Sequence, residues 1–317
     1  MTERIANLHR RCDLLRQLRE FFHERGFVEV ETPLLSHEVI PELHIEPLLV
    51  ESHDTTCRTA QWLQASPELH MKRLLAEGMP AIFQVTKSFR AGEVGQLHNP
   101  EFTMIEWYRV GDDMHSGMNL LDELCRVLLD TPPAKQTSYA EAFQQYLGIC
   151  PHTSSCEELA ACAKQHGIDA EGIKSDDRDE WLNLLLATQV EPKLGFQQPE
   201  LLYDYPASQA SLAKTATREN GSEVAERFEL YWRGVELANG YHELTDAKAL
   251  RCRFQEVNAT RTADSRPALP LPESLLTAME RGLPDSTGCA LGFDRLAMLA
   301  LRASTIREVM AFHEGVV

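Results

Sequence analysis

The chain has 317 residues, and 48 acidic against 31 basic side chains leave a net charge of −17. With 43% apolar and 25% charged residues it can build a packed core, as one large domain or two ordinary ones, and disorder over most of its length is excluded. No run approaches the ~18 apolar residues of a membrane span, the charged start MTERIANLHRRCDLLRQL is no signal peptide, and the acidic balance argues against a broad electrostatic grip on nucleic acid.

A soluble cytoplasmic protein is expected. None of the eight cysteines forms a C-x-x-C pair. Cys150, Cys156 and Cys162 are spaced by six and His53 and Cys57 stand alone, so neither set has zinc-site spacing. Any anionic substrate must be met by specific cations inside a pocket.

Residues 3–25 carry Leu8, Cys12, Leu15, Leu18 and Phe22 at helical spacing, and Gly26 stops the helix. FVEVETP reads as a strand ended by Pro33. In ASPELHMKRLLAEGM (65–79) Ser66 reads as a cap, Pro67 as the first helical position and Glu68 as a first-turn acid. PAIFQVTKSFR and EFTMIEWYRV read as two strands of an antiparallel hairpin joined by a Gly-containing loop. Residues 112–225 hold helical segments (SGMNLLDELCRVLLDT, SCEELAACAKQHG, RDEWLNLLLATQVEPKL), which read as an elaboration inserted into a sheet. In ERFELYWRGVELANGYHELTDA, Arg233-Gly234 is a plausible hairpin turn. A helix is expected around 247–263, a Pro-rich loop over 265–273, and then a short strand, Gly292 and a closing helix in GCALGFDRLAMLALRAS.

Strand period sorts the chemistry. Phe102, Met104, Glu106 and Tyr108 share one side of their strand, while Thr103, Ile105 and Trp107 face the other. That fits a sheet flooring a ligand pocket, and equally a half-exposed sheet with a solvated face. Arg90 lies just past one strand of the hairpin, and His98-Asn99 just before the other. An Arg fork beside an aromatic ring could hold a nucleotide, or could be ordinary loop surface. Glu236 and Glu243 are seven apart, an odd spacing that needs one extra residue, as at Asn239-Gly240, to align them for Mg2+. Gly288 and Gly292 precede Asp294-Arg295 at a strand-to-helix junction, where glycine permits close approach to a ligand or simply a tight turn.

Together these segments resemble the catalytic domain of class II aminoacyl-tRNA synthetases, in the lysyl branch. Motif 1 resembles residues 11–33, motif 2 FQVTKSFRAGEVGQLHNPEFTMIEWY (83–108) and motif 3 GCALGFDRLAML (288–299), while ELANGYHELTDA (236–247) resembles the lysyl-branch strand that meets ATP, metal and amino acid. The resemblance implies an α+β fold, an antiparallel sheet flanked by helices, as one catalytic domain over 1–317 with a helical insertion at about 112–200. Motif 1 begins almost at the start, so the anticodon-binding domain of lysyl-tRNA synthetases is expected to be absent. In this the chain is similar to stand-alone members of the family that attach (R)-β-lysine to one lysine of elongation factor P. PASQASLA (206–213) and SPELHMKRLL (66–75) share that resemblance.

It implies ATP and Mg2+ as cofactors, elongation factor P and (R)-β-lysine as partners, no tRNA and no membrane, and a homodimer paired through residues 11–33. Arg90 is expected on the α-phosphate and substrate carboxylate, Arg295 on the γ-phosphate, and Phe102 on adenine, which lies between it and Arg295. Gly92, Glu93, His98, Asn99, Leu237, Asn239 and Gly292 are expected around the nucleotide, and Glu236 and Glu243 on Mg2+. Ser66, Pro67 and Glu68 are expected at the substrate's nearer amine, Glu106 and Tyr108 at its distal ammonium, and Glu243 and Ala290 alongside. Two departures stand out: motif 2 reads Phe89-Arg90-Ala91-Gly92-Glu93, which displaces the usual acid by one residue, and Ala290 stands where lysyl-tRNA synthetases have Gly. One methyl there could disfavour α-lysine by ~1–3 kcal/mol. The alternatives are a truncated lysyl-tRNA synthetase-like ligase, and a catalytically silent regulatory paralogue, against which Arg90, Glu236, Glu243 and Arg295 all speak.

Overall fold

Helical spacing and a glycine stop dictate the first element. In this computed structural model, which describes residues 2–51, 60–174 and 176–315, α1 runs Glu3–Glu24 and Gly26 closes it at φ +76°, backbone that side chains disfavour. Next come β1 (Val28–Glu29), β2 (Leu35–Ser36), β3 (Leu48–Val50), β4 (Gln61–Leu63), α2 (Glu68–Ala76), β5 (Ala81–Phe89) and β6 (Glu101–Val110). The middle of the chain forms α3 (Met114–Leu129), β7 (Lys135–Ser138), α4 (Tyr139–Leu147), α5 (Cys156–Gln165), α6 (Arg178–Leu185), β8 (Glu200–Pro206), β9 (Thr215–Thr217), β10 (Glu223–Trp232) and β11 (Val235–His242). The end forms α7 (Ala247–Ala263), α8 (Glu273–Gly282), β12 (Ser286–Gly292) and α9 (Phe293–Ala300). His53 and Cys57 lie outside the described residues. Among the described residues no helix is long and apolar enough to cross a membrane.

Two compact units divide the chain. The first holds Met1–Asp113, Val127–Leu129 and Glu243–Val317. Its sheet runs β1-β5-β6-β12, with β1 parallel to β5 and the other pairs antiparallel. In register, Gln84 and Ala290 flank Glu106, and Ile82 and Gly288 flank Tyr108. A small sheet of order β2-β4-β3 accompanies it.

Strand alternation decides what α1 covers. Phe22 stacks on Phe83 at 4.7 Å and tilts against Trp107 at 5.2 Å, and burying each such ring contributes about 1.5–3 kcal/mol. Arg11 donates to Thr103 Oγ1 at 3.0 Å and pairs with Asp294 at 2.6 Å, while Asp294 accepts the Thr103 N–H at 2.7 Å. The odd-numbered side chains of β6 are therefore taken up by α1 and α9, and the even-numbered ones remain for the other face, as the period predicts.

The second unit holds Met114–Arg126 and Asp130–His242. Its sheet runs β11-β10-β8-β7, with β9 on β10 and β7 parallel to β8. Tyr139, Phe143, Leu159, Leu182, Leu185 and Leu202 belong to its core. The insertion expected as helical over 112–200 thus carries strands as well, and its compact unit continues to His242. Ser138 with Glu141 and Ser155 with Glu158 form capping boxes that start α4 and α5.

Arg233 (φ 55°) and Gly234 (φ 73°) make the two-residue turn between β10 and β11, since both positions need left-handed backbone. The extra residue expected near Asn239-Gly240 lies earlier. Tyr231 pairs with Glu236 and Leu230 with Ala238, so Leu237 is the bulge. Gly240 instead gives way to a neighbour, since it faces Phe228, whose ring would overlap any side chain there.

Candidate active site

The free face of β6 builds one end of the site within the first unit. Tyr108 donates its hydroxyl to Glu106 Oε1 at 2.7 Å, and Ser66 donates to Glu106 Oε2 at 2.7 Å. The Ser66 oxygen also accepts the Glu68 N–H at 3.0 Å, so the residue that shapes the entry to α2 touches the acid as well. The helix itself starts at Glu68, one residue later than its Ser-Pro signal suggests, with Pro67 as the flanking position.

Behind these groups Glu68 pairs with Lys72 one helical turn away, and Lys72 Nζ meets Glu243 Oε2 at 2.5 Å. The side chains of Lys72 and Glu243 are each only 1% exposed. Gly288 makes room for this arrangement, because a methyl there would overlap the Tyr108 ring and the Glu243 carboxylate. Glu68, Glu106 and Glu243 thus share a buried pocket with the Lys72 ammonium. Burial, then the neighbouring Glu68 and Glu243 charges, push the Glu106 carboxyl up to about 8 against the opposing Tyr108 and Ser66 hydrogen bonds. Burial and the Glu106 charge raise Tyr108 well above the usual phenol range. For Lys72, burial opposes the charged form, but Glu243 and Glu68 outweigh it and hold the ammonium protonated.

The other end lies where β5 and β6 meet their connecting loop. Arg90 donates its backbone N–H to Pro100 O at 2.9 Å, and its guanidinium sits 5.1 Å from the Phe102 ring centre. Its NH1 lies 3.7 Å from Glu93, and its buried Nε has no partner among the described residues. A buried, unsatisfied guanidinium N–H beside a half-buried aromatic ring fits an incoming phosphate and base. Gly92 turns the loop at φ 77°.

Arg295, in the first turn of α9, donates to Leu97 O at 3.2 Å and lies 2.6 Å from His98 Nε2. Burial and that guanidinium lower the His98 pKa. The cation over Phe102 is therefore Arg90, while Arg295 reaches the loop. Asn99, expected beside the nucleotide, commits both ends of its amide to backbone, donating to Glu101 O at 2.6 Å and accepting from Glu314 N at 2.8 Å. Gly292 ends β12 opposite Met104, and Ala290 stands in register with Glu106.

Three expected residues lie in the second unit. Glu236 pairs with Tyr231, Leu237 is the buried bulge, and Asn239 accepts from Arg227 Nε at 3.2 Å while donating to Tyr241 Oη at 3.0 Å. The sequence reading missed Lys72 as part of the pocket, although its spacing of four from Glu68 was a usable signal. It noted Gly288 for close approach of a ligand, whereas the close neighbours are Tyr108 and Glu243.

An acid-lined pocket and an arginine–aromatic pair share one antiparallel hairpin, an arrangement suited to activating an amino acid. The chain matches the family model of class II tRNA synthetases (D, K and N) over residues 2–315, and it belongs to that family, whose members are ATP-dependent amino-acid ligases that generally use Mg2+. It is similar to a relative from Edwardsiella ictaluri (strain 93-146), the elongation factor P--(R)-beta-lysine ligase. The two are 46% identical over 312 residues, which is 97% of this chain and 95% of the relative.

Proposed function

We propose that this protein activates (R)-β-lysine with ATP and transfers it to a lysine ε-amine of elongation factor P. The observation that carries the reading is the spacing on β6: Phe102, beside Arg90, and Glu106, in the acid pocket, lie four residues apart on one face, about 13 Å at a strand's rise. A short diamino acid fits that interval with its ammonium groups among the acids and its carboxylate toward Arg90.

In the first step a substrate carboxylate oxygen attacks the α-phosphorus of ATP. The new acyl–phosphate bond replaces the bond to the β-phosphate, and pyrophosphate leaves. Arg90 screens the repulsion between the two anions and holds them in line. Arg295 takes the γ-phosphate, and Phe102 stacks on the base with Glu93 and His98 nearby, as the lysyl-branch resemblance implies. In the second step the acceptor ε-amine attacks the acyl carbon, an amide forms and AMP leaves, so no enzyme nucleophile is required.

Mg2+ supplies charge neutralisation on the triphosphate when bound. Glu243 and Glu236 are the carboxylates the resemblance assigns to it. Glu243, in the first unit, already bears the Lys72 ammonium, and its carboxylate oxygens are of the kind a hard cation takes. A cytoplasmic homodimer completes the proposal. Val28, Leu34 and Leu35, in and just past motif 1, are exposed large apolar side chains that a partner would cover.

Mass spectrometry of elongation factor P incubated with the protein, ATP, Mg2+ and (R)-β-lysine tests this reading. The expected result is a gain of one lysyl unit that depends on ATP and is smaller with α-lysine. Charged tRNA without modified factor would overturn it.

A further inference from the structure

One buried cation of the first unit has no part in the proposed chemistry. Arg261, in the last turn of α7, is fully buried, and each of its three guanidinium nitrogens donates. Nε reaches Pro267 O at 3.1 Å, Nη1 reaches Glu42 O at 3.2 Å and Nη2 reaches Glu46 Oε1 at 3.0 Å. A guanidinium leaves water favourably only where its donors find partners, and an apolar side chain could pack α7 without that demand. What Arg261 grips therefore indicates its use.

The loop after α7 folds back on the helix, since Arg266 donates its N–H to Arg261 O at 2.8 Å and Asn258 exchanges two hydrogen bonds of 2.8 Å with the backbone of Leu269. That turn carries Pro267 O to Arg261 and lets the Arg266 side chain donate to Leu43 O at 2.6 Å. Glu42, Leu43 and Glu46 belong to the connection between β2 and β3, in which residues 37–47 form neither helix nor strand. A stretch without a ladder of its own is held by the groups that reach its backbone from outside.

Its other side meets the hairpin. Pairing of β5 with β6 runs to Phe89 opposite Glu101, and Arg90 continues it by donating its N–H to Pro100 O at 2.9 Å. The next amide leaves the ladder, and Ala91 donates to Glu46 O at 2.9 Å. Two successive amides thus fix the backbone that carries the Arg90 side chain, one through Pro100 and the other through Glu46. Glu46 gives its carboxylate to Arg261 and its carbonyl to Ala91, so a single residue joins the buried cation to the neighbour of Arg90. Just beyond, the chain turns at Gly92, and no strand resumes before Glu101.

We propose that Arg261 is a positioning residue for the first chemical step: through Glu46 and the Ala91 amide it fixes the backbone that aims Arg90 at the α-phosphate and the substrate carboxylate. The inference rests on the role given to Arg90 above and deepens it. Removing Arg261 frees the 42–46 stretch and lets the Ala91 end of the loop shift. A displacement of about 1 Å at a group such as Arg90 can cost about 100-fold in rate.

Two measurements on the full-length protein separate this from a packing role. Hydrogen exchange at the Ala91 amide reads the linkage with no substrate present. The amide should be protected in the wild type, and in Arg261→Met it should exchange at least about tenfold faster while the amides of β6 keep their rates. In pyrophosphate exchange with (R)-β-lysine the same variant should lose at least about tenfold in kcat, with KM for the amino acid changed less, because the pocket around Glu106 is untouched. Unchanged Ala91 exchange, or unchanged kcat, would make Arg261 a packing residue and overturn the proposal while leaving the substrate reading intact. A wild type that exchanges pyrophosphate with no lysine isomer would overturn the substrate reading and the proposal with it.

Should Arg261→Met not fold, Glu46→Ala decides, since the Glu46 side chain is 43% exposed and its loss is mild for folding. It should reproduce the faster Ala91 exchange and the fall in kcat. Glu46→Gln, which still offers an oxygen to Arg261, should stay within about threefold of wild type in kcat. Wild-type kcat in Glu46→Ala, or a loss in Glu46→Gln as large as in Glu46→Ala, would overturn the proposal.

Discussion

Each unit of the molecule buries an ionic cluster roofed by tyrosine hydroxyls, and the two differ in the partners of their acids. In the second unit Glu229 pairs with Arg227 through Oε1, and its Oε2 accepts hydroxyls from Tyr205 and Tyr231. The Tyr231 hydroxyl also lies 3.1 Å from Glu191 Oε1, and the Arg227 guanidinium lies 4.5 Å from the Tyr205 ring centre. In the first unit Lys72 bridges two acids, Glu68 and Glu243, and the hydroxyls of Ser66 and Tyr108 donate to a third, Glu106, which Lys72 does not reach. Glu229 has its own guanidinium within the fold, whereas the hydrogen bonds to Glu106 come from hydroxyls, which is why the pocket around Glu106 reads as a binding site and the network around Glu229 reads as structure.

Breaking the Glu229 cluster should act on stability. Arg227→Met leaves Glu229 buried without its partner and is expected to cost about 3 kcal/mol, at the lower end of the ~3–5 kcal/mol range for such losses because Arg227 remains 20% exposed. Denaturant unfolding checks this, and Arg227→Met with Glu229→Met should recover part of the loss.

Crowding the Glu106 cluster should act on activity instead. Gly288→Ala displaces Tyr108 and Glu243, and misplacement of this kind can cost about 100-fold in amino-acid-dependent pyrophosphate exchange. Circular dichroism should be unchanged.

The third expectation concerns pH and stability. The Glu106 carboxyl is raised to about 8 in the folded chain, so its contribution to stability is full at acidic pH and is lost as pH rises through about 8. Glu106→Gln should flatten the fall in Tm between about pH 5 and 8 and be at least as stable as wild type at the upper end, while binding the diamino acid more weakly. The smallest effect is assigned to Ala290→Gly, which removes one methyl in register with Glu106 and should shift the α- to β-lysine preference by about tenfold, as ~1–3 kcal/mol of methylene-sized discrimination allows.

The contrast between the clusters also explains what could be read from the residues alone. The period of two in Phe102–Tyr108 sorted the faces of β6 correctly, because α1 enforces it through Trp107 and Thr103. The Arg233-Gly234 turn was equally plain, since two left-handed positions in a row leave few residue choices. Lys72 was legible only as the i,i+4 partner of Glu68, not as a buried residue of the site. In HMKRLL it reads as an ordinary polar helix position, and its burial arises only when α2 packs against β6 and Glu243 arrives from a segment about 170 residues further on.

The bulge was placed at Asn239-Gly240 because Gly commonly marks one, whereas that glycine yields to the Phe228 ring and the extra residue is Leu237. β7, β8 and β9 went unread because β7 and β9 are short and β8 is buried almost throughout, which removes the alternation. The capping boxes at Ser138 and Ser155 were available signals for α4 and α5.

A crystal structure with a non-hydrolysable (R)-β-lysyl adenylate analogue tests the central claim most directly. The account predicts the distal ammonium within hydrogen-bonding distance of Glu106 and Tyr108, with Lys72 still on Glu68 and Glu243 and the α-phosphate on Arg90. An analogue seated with its ammonium groups away from Glu106, or its phosphate away from Arg90, would contradict it.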